Sequence, residues 1–324
     1  MIKLKPNKVY FVGEIGINHD GSIKKIKNYI DIASKYGIDA IKLQLGTPFR
    51  FTTIENKKRF DLRTKTMIQN SDLDKLAMYA KKKNVLLFAS PLSEDYVKLV
   101  ADKFGVIKIA SGDINFLPIL KEAYKSKKLT IISTGASTIK EILDIFKIFK
   151  NKKKVILMHC ISNYPTEIEN SNLINVKYLR KKFGVHVGYS NHVLGTTACE
   201  VAIIMGARIV EFHLTDNKHR KFIDHKISLE PKDFVKLKIK ANEIIKSIGK
   251  KRKRQFFSEK SYKELRKGLI YSTDLKKGTI LKKSHLSYAR PAKYLSYNSS
   301  KLVIGKKLKK DVRKFNLTRI KDFF

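Results

Sequence analysis

The chain has 324 residues, 43% of them hydrophobic, enough for a barrel of about 250 residues with a sizeable core plus a smaller domain. Its 69 basic and 29 acidic residues give a net charge of +40. The excess is mostly lysine on helix faces, with no Arg-rich tail and no zinc-finger or RNA-recognition signature, which argues against a specific nucleic-acid binder and leaves a basic surface that attracts small anions. Two cysteines, Cys160 and Cys199, exclude a disulfide framework, and neither a membrane span nor a signal peptide is read from the apolar runs, so a cytoplasmic location is expected.

In chain order, a first apolar run at 9–13 opens onto EIGINHDGS, Glu14 to Ser22. A carboxylate thus stands where a buried strand meets a loop. Ile23, Ile26, Ile30 and Ala33 then recur at helical spacing, with Ser22 placed to cap the helix and Gly37 to end it. DAIKLQ (39–44) reads as the second strand, and 46–70 as one long irregular stretch. Strand-like runs follow at 85–90, 106–110, 129–133, 155–160, 185–190 and 208–213. They alternate with helical patterns near 71–84, 93–103, 115–127, 138–149, 172–182, 194–205 and 231–247. Eight strand–helix units with continuous rather than alternating apolar strands predict a parallel sheet closed as a (β/α)₈ barrel. No GxGxxG follows the first strand, which argues against a dinucleotide fold. These readings predict a barrel domain over 1–250, a basic linker over 251–264, and a small, turn-rich, mainly β domain over 265–324.

Most strands end on a polar residue, which is how such barrels build active sites. Side chains at i and i+2 share a strand face, so Lys42/Gln44, Ser190/His192 and Glu211/His213 are paired. The seventh and eighth strands are neighbours, so His192 and His213 are placed to reach one ion, and two imidazoles with open positions suit Mn²⁺, Zn²⁺ or Fe²⁺. Closure brings Glu14 beside Glu211 and His213. Lys42 and Lys108 lie inside apolar runs, where a lysine needs an anion. With hydroxyls from Ser90, Ser111, Ser133 and Ser190 at the same level they describe a cradle for a small phosphorylated acid. Asn163 and Tyr164, in SNYPT, either contact a ligand or form a turn. Cys160 reads as packing rather than as a nucleophile.

EIGINHDGS, IKLQ, FASPLS, IKIASGD, ISTGAS, MHCISNYPT, GYSNH and EFHLTD, in this order, resemble the N-acetylneuraminate (sialic acid) synthase family. That family includes bacterial relatives that make legionaminic acid, pseudaminic acid and spore-coat sugars. The segment DLKKGTILKKSHLSYARP is similar to the antifreeze-like (SAF) domain that ends these enzymes. The resemblance covers about 8–315 and implies a TIM barrel followed by a SAF domain. The implied reaction condenses phosphoenolpyruvate with an open-chain N-acetylated hexosamine, releasing phosphate and a nonulosonic acid. It implies that His192 and His213 hold a divalent metal, Mn²⁺ or Mg²⁺. Lys42, Ser90, Lys108, Ser111, Ser133 and Ser190 match phosphoenolpyruvate positions. Glu14, Glu211, Tyr164 and Asp224 match sugar-side or acid–base positions, with Gln44 and Asn163 also facing the sugar. Arg290 matches an arginine that the tail of one subunit offers its partner's barrel, implying a domain-swapped homodimer. Asn191 stands where the family usually has Asp, 46–70 is shorter than usual, and no Pro-Gly precedes Asp224. A Schiff-base aldolase using Lys42 or Lys108, and a non-catalytic polyanion-binding protein, are the competing readings.

Overall fold

The computed structural model describes residues 2, 4–220, 223–249 and 258–324. The basic KRKR at 251–254, and the linker expected at 251–264 as far as 257, lie outside the described residues. The chain divides into two compact units, Met1–Lys250 and Lys251–Phe324.

In the first unit eight parallel strands close in sequence order: β1 (Tyr10–Glu14), β2 (Ala40–Leu45), β3 (Leu86–Pro91), β4 (Val106–Ile109), β5 (Leu129–Ser133), β6 (Val155–His159), β7 (His186–Asn191) and β8 (Ile209–His213). The helices α1 (Ile23–Tyr36), α4 (Asn70–Lys82), α5 (Glu94–Phe104), α6 (Leu117–Lys125), α7 (Ile139–Ile148), α8 (Ile174–Phe183), α9 (Thr197–Ile204) and α11 (Pro231–Ile248) follow the strands. This is the (β/α)₈ barrel that the alternating pattern predicts.

Sequence explains the elements locally. Ser22 accepts a hydrogen bond from the Lys25 amide and caps α1, while Gly37 ends it at φ 75°, where a side chain would be strained. Ile26, Tyr29, Ile30 and Ala33 form the buried stripe between these caps. Strands β4 and β6 are buried at every position, as parallel strands covered on both faces must be. Gly188 in β7 makes room inside the wall: a β-carbon there would collide with Ile209 and with the Met158 sulfur.

The stretch 46–70 is not irregular. It holds two short helices, α2 (Pro48–Phe51) and α3 (Lys57–Lys65). Asn56 caps α3 by accepting from the Arg59 amide, but α3 buries none of its own residues, so no apolar stripe marks it in the sequence. After β8 comes the short α10 (Ile223–Ile227).

The second unit is described from Ser258. A helix, α12 (Glu259–Leu265), occupies the end of the stretch read as linker. Beyond it the antiparallel strands β9 (Gly268–Tyr271) and β10 (Leu286–Ala289) pair. Leu269, Tyr271, Leu281, Val303, Leu308 and Phe323 form a separate small core, in line with the turn-rich, mainly β expectation. Among the described residues no helix is long and apolar enough to cross a membrane.

Candidate active site at the C-terminal mouth of the barrel

A cavity of about 620 Å³ opens where the strands end. Strand register decides who meets there. Glu14 is opposite Lys42 on one side and His213 on the other, and Ser190 is opposite Glu211. Every residue picked from the barrel sequence lines the cavity except Asn163. Asn163 is exposed, and its carbonyl accepts from the Thr166 hydroxyl at 2.8 Å. Of the two roles left open for it, its backbone serves the turn. Arg290 belongs to the second unit, where it is exposed at the end of β10.

One wall is a buried charge relay. Lys42 lies between Glu14, with which it forms an ion pair, and Glu211, whose Oε1 is 3.0 Å from its Nζ. Ser190 Oγ donates to the same Glu211 oxygen at 2.9 Å. Gln44 Nε2 donates to Glu14 Oε1 at 2.9 Å, and Arg63 Nη1 donates to Gln44 Oε1 at 2.6 Å. Burial pulls the Lys42 ammonium down to about 8, with the Glu211 charge opposing it. Burial alone would raise the Glu211 carboxyl, but Lys42, Lys108 and the hydrogen bonds from Lys42 and Ser190 outweigh it and hold it well below the carboxylate range. Burial favours the neutral form of both partners, and their attraction favours the charged one. The charged pair is the state that satisfies the hydrogen bonds present.

The opposite wall is a cation with hydroxyls. Lys108 Nζ donates to Ser133 Oγ at 2.6 Å and to the Ile109 carbonyl at 3.2 Å. Ser111 and Ser162 hydroxyls are 2.9 Å apart. Ser90 Oγ is buried and without a partner, a donor left available for a ligand. Cys160 also lines the cavity, but burial raises its thiol, which disfavours the thiolate a nucleophile needs.

Between the walls stand the two histidines. His192 and His213 have ring centroids 5.6 Å apart, and the Tyr164 ring lies 4.1 Å from His192. His192 Nδ1 donates to the Ile161 carbonyl at 2.6 Å, which fixes the tautomer and leaves Nε2 unprotonated. His213 Nδ1 is buried without a hydrogen bond, 3.6 Å from Asp224 Oδ2. Burial lowers both imidazoles to about 4, helped at His192 by His213 and at His213 by Lys42. Both are therefore neutral, with lone pairs, at neutral pH. Among the described residues no three His, Cys, Asp or Glu side chains form a ready metal cage, so a metal here would rest on two imidazoles plus water or substrate. Asp224 is raised by burial, against the charge of Arg63.

Asn191, which stands where the family usually has Asp, is spent on its own turn. Its amide donates to the Val193 and Gly195 carbonyls at 2.8 and 3.4 Å, and its oxygen accepts from Tyr189 and from the Val193 amide at 3.0 and 3.2 Å. It shapes the turn after β7, while His192 is oriented by Ile161 and Tyr164.

Sequence reasoning missed Arg50, Phe51, Arg59 and Arg63, which also line the cavity. They sit in the stretch read as irregular, and runs of exposed charge carry no signal of facing inward.

Comparisons with known proteins show the family. A sequence model of the NeuB family matches residues 29–253. The N,N'-diacetyllegionaminic acid synthase of Campylobacter jejuni is 31% identical over 331 residues, spanning 96% of this chain and 99% of the relative. The N-acetylneuraminate-9-phosphate synthase of Drosophila melanogaster is 34% identical over 249 residues, spanning 70% of this chain and 65% of the relative. The crystal structure of the N-acetylneuraminic acid synthetase of Leptospira borgpetersenii in complex with citrate superposes with a TM-score of 0.76 at 32% identity. That match covers 80% of this chain and 92% of the other.

Proposed function

Because this chain belongs to the NeuB family, we propose that it is a sialic-type acid synthase, condensing phosphoenolpyruvate with an open-chain N-acetylated hexosamine and releasing phosphate. The observation that carries this reading is one cavity in which a lysine–serine cradle faces two neutral imidazoles and a buried Glu–Lys–Glu relay.

Lys108, Ser133, Ser111 and Ser90 hold the phosphate, which suits a cation flanked by hydroxyl donors. Lys42 faces the phosphoenolpyruvate carboxylate from the centre of its relay, and Ser190 sets the Glu211 carboxylate that anchors it. Gln44 and Tyr164 position the sugar chain. The enol C3 attacks the aldehyde carbon, and that bond forms as the aldehyde oxygen takes a proton to become a hydroxyl. Water adds at C2 and gives up a proton, and the C2–oxygen bond to phosphate then breaks as the new C2 hydroxyl passes its proton to the departing phosphate, leaving the 2-keto acid. Asp224, beside His213 and without a lysine, is the carboxylate placed to pass these protons. Glu14 and Glu211, locked to Lys42, hold charge in place. His192 and His213 fit a divalent ion, Mn²⁺ or Mg²⁺, because both are neutral and His213 Nδ1 is unpartnered. When bound there, the ion would polarise the sugar aldehyde as a Lewis acid. Lysines already committed to Glu14, Glu211 and Ser133 speak against a Schiff-base aldolase.

The proposal extends to the second unit as an antifreeze-like domain that brings Arg290 to a partner's barrel in a swapped homodimer, and to a cytoplasmic enzyme. The test is phosphate release from phosphoenolpyruvate with Mn²⁺ and a panel of 2-acetamido and 2,4-diacetamido hexoses. Release that requires sugar, stops in EDTA and is lost in His213→Ala supports the reading. Sugar-independent release, or full activity in His213→Ala, removes it. Mass measurement in solution, with Arg290→Ala kinetics, tests the swapped dimer: a monomer with unchanged sugar KM would refute it.

A further inference from the structure

The segment between β2 and α4 carries a group of cations that the proposed reaction leaves unused. Arg59 and Arg63, one helical turn apart on α3, both stack on Phe51, their guanidinium carbons 4.8 and 3.7 Å from the ring centroid. Arg50, at the end of α2, joins the same rim, with Nη2 3.5 Å from Glu94. All line the cavity. Arg63 uses one N–H on Gln44. Among the described residues, neither Arg59 nor Arg63 has a carboxylate within ion-pair distance.

Two like charges on one ring repel and, with Arg63 half-buried, favour a counter-ion. Stacking on Phe51 recovers only part of that cost, about 1 kcal/mol for a cation over an aromatic face. Burial draws Arg63 down to about 10, against the charge of Asp224 and with that of Arg59, so it stays charged at neutral pH. A pair of planar forks stacked on one ring and lining a cavity is complementary to a phosphate or carboxylate.

Topology separates this anion site from the phosphate cradle. Lys108 and Ser133 belong to β4 and β5. Arg63 reaches Gln44 on β2 and feels Asp224, which follows β8. In the closed order of strands, β8, β1 and β2 form the wall opposite β4 and β5. The arginines therefore lie on the acceptor's side, one side chain beyond Gln44.

Resting on the reaction proposed above, we propose that the acceptor is itself anionic: an N-acetylated hexosamine phosphorylated at the end remote from its aldehyde, its phosphate held by Arg59 and Arg63 with Arg50 at the edge. A neutral sugar would leave the half-buried Arg63 guanidinium without an anion. Family membership does not choose between the two classes, since the relatives' names include both a free-acid and a 9-phosphate synthase. The α2–α3 segment makes the choice.

The test is isothermal titration, without phosphoenolpyruvate, of N-acetylmannosamine, N-acetylglucosamine and N-acetylgalactosamine, each with and without a 6-phosphate, and of inorganic phosphate alone. At least one sugar phosphate should bind tenfold or more tightly than its parent sugar and than free phosphate. Arg59→Gln and Arg63→Gln should each cut that preference at least tenfold. Arg59 is exposed, so Arg59→Gln carries the test even if Arg63→Gln fails to fold. A preference below threefold throughout, or one that survives both substitutions, overturns the inference. The phosphate-release assay, run with the same three sugars each with and without the 6-phosphate, separates the two readings. Turnover of unphosphorylated sugars only would overturn this inference and leave the reaction standing. Tight, arginine-dependent binding of a sugar phosphate without phosphate release would support the site and remove the reaction.

Discussion

Replacing Lys42 with methionine removes the cation that Glu14 and Glu211 share and leaves methylenes of similar length in its place. The loss can be sized from the geometry. The Lys42–Glu211 contact is 3.0 Å, worth about 5 kcal/mol at an effective dielectric of roughly 20, with a closer contact to Glu14 beside it. Against this stands the desolvation of the ammonium, which the variant no longer suffers. Breaking buried pairs by deleting one partner costs about 3–5 kcal/mol in general, and that range is expected at pH 7. The pH dependence follows from sign. In the native protein the Glu211 carboxyl is held below its ordinary 4.5, so its contribution is present above that pH and fades as pH falls. In the variant burial acts with less opposition, the carboxyl rises above 4.5, and the folded state loses stability as pH increases past that value. The deficit of Lys42→Met should therefore be largest at pH 7, smaller at pH 4, and vanish only as pH falls through the native Glu211 value of about 2. Working at or below pH 7 stays under the Lys42 value of about 8. Urea unfolding followed by far-ultraviolet circular dichroism reads the deficit, and Lys42→Met/Glu211→Gln should recover about half of it by removing one stranded charge. A deficit under about 1 kcal/mol, or one equal at pH 4 and 7, would show that the carboxylates do not depend on this lysine.

Other consequences can be checked on the same protein. His19 is 1% exposed and burial lowers it to about 4, so from pH 6.5 down to 4 the unfolded chain takes up a proton that the native chain refuses. Stability should fall by about 1.4 kcal/mol per pH unit for each such group; His19→Asn should flatten the measured slope, and an unchanged slope would rule His19 out. Asn191→Asp would set a carboxylate against the Val193 and Gly195 carbonyls and should cost about 2–3 kcal/mol in urea; a neutral result would mean the turn rearranges. Gly188→Ala drives a methyl into Ile209 and Met158, with an expected loss of about 1–3 kcal/mol, which a wild-type thermal midpoint would contradict.

Much of this protein was legible from local pattern. Continuous apolar runs followed by amphipathic helices announced a parallel barrel, because strands buried on both faces cannot alternate. Polar residues at strand ends, taken in i and i+2 pairs, named Lys42, Gln44, Ser190, His192, Glu211 and His213, because the pleat sends such pairs to one face. The same reasoning could not see α3, which buries nothing of its own and so shows no periodicity. Nor could it distinguish Asn163, spent on a turn, from Tyr164, one residue on, which faces the cavity. Sequence alone placed the start of each strand to within one residue and named most of the side chains sent to the strand ends. Tertiary structure alone decided which polar groups become partners: Lys42 with two carboxylates, Asn191 with its own turn, Arg59 and Arg63 with an aromatic ring and, among the described residues, no carboxylate. Periodicity is a property of neighbouring residues, whereas a charge's environment is made by segments far away in the chain.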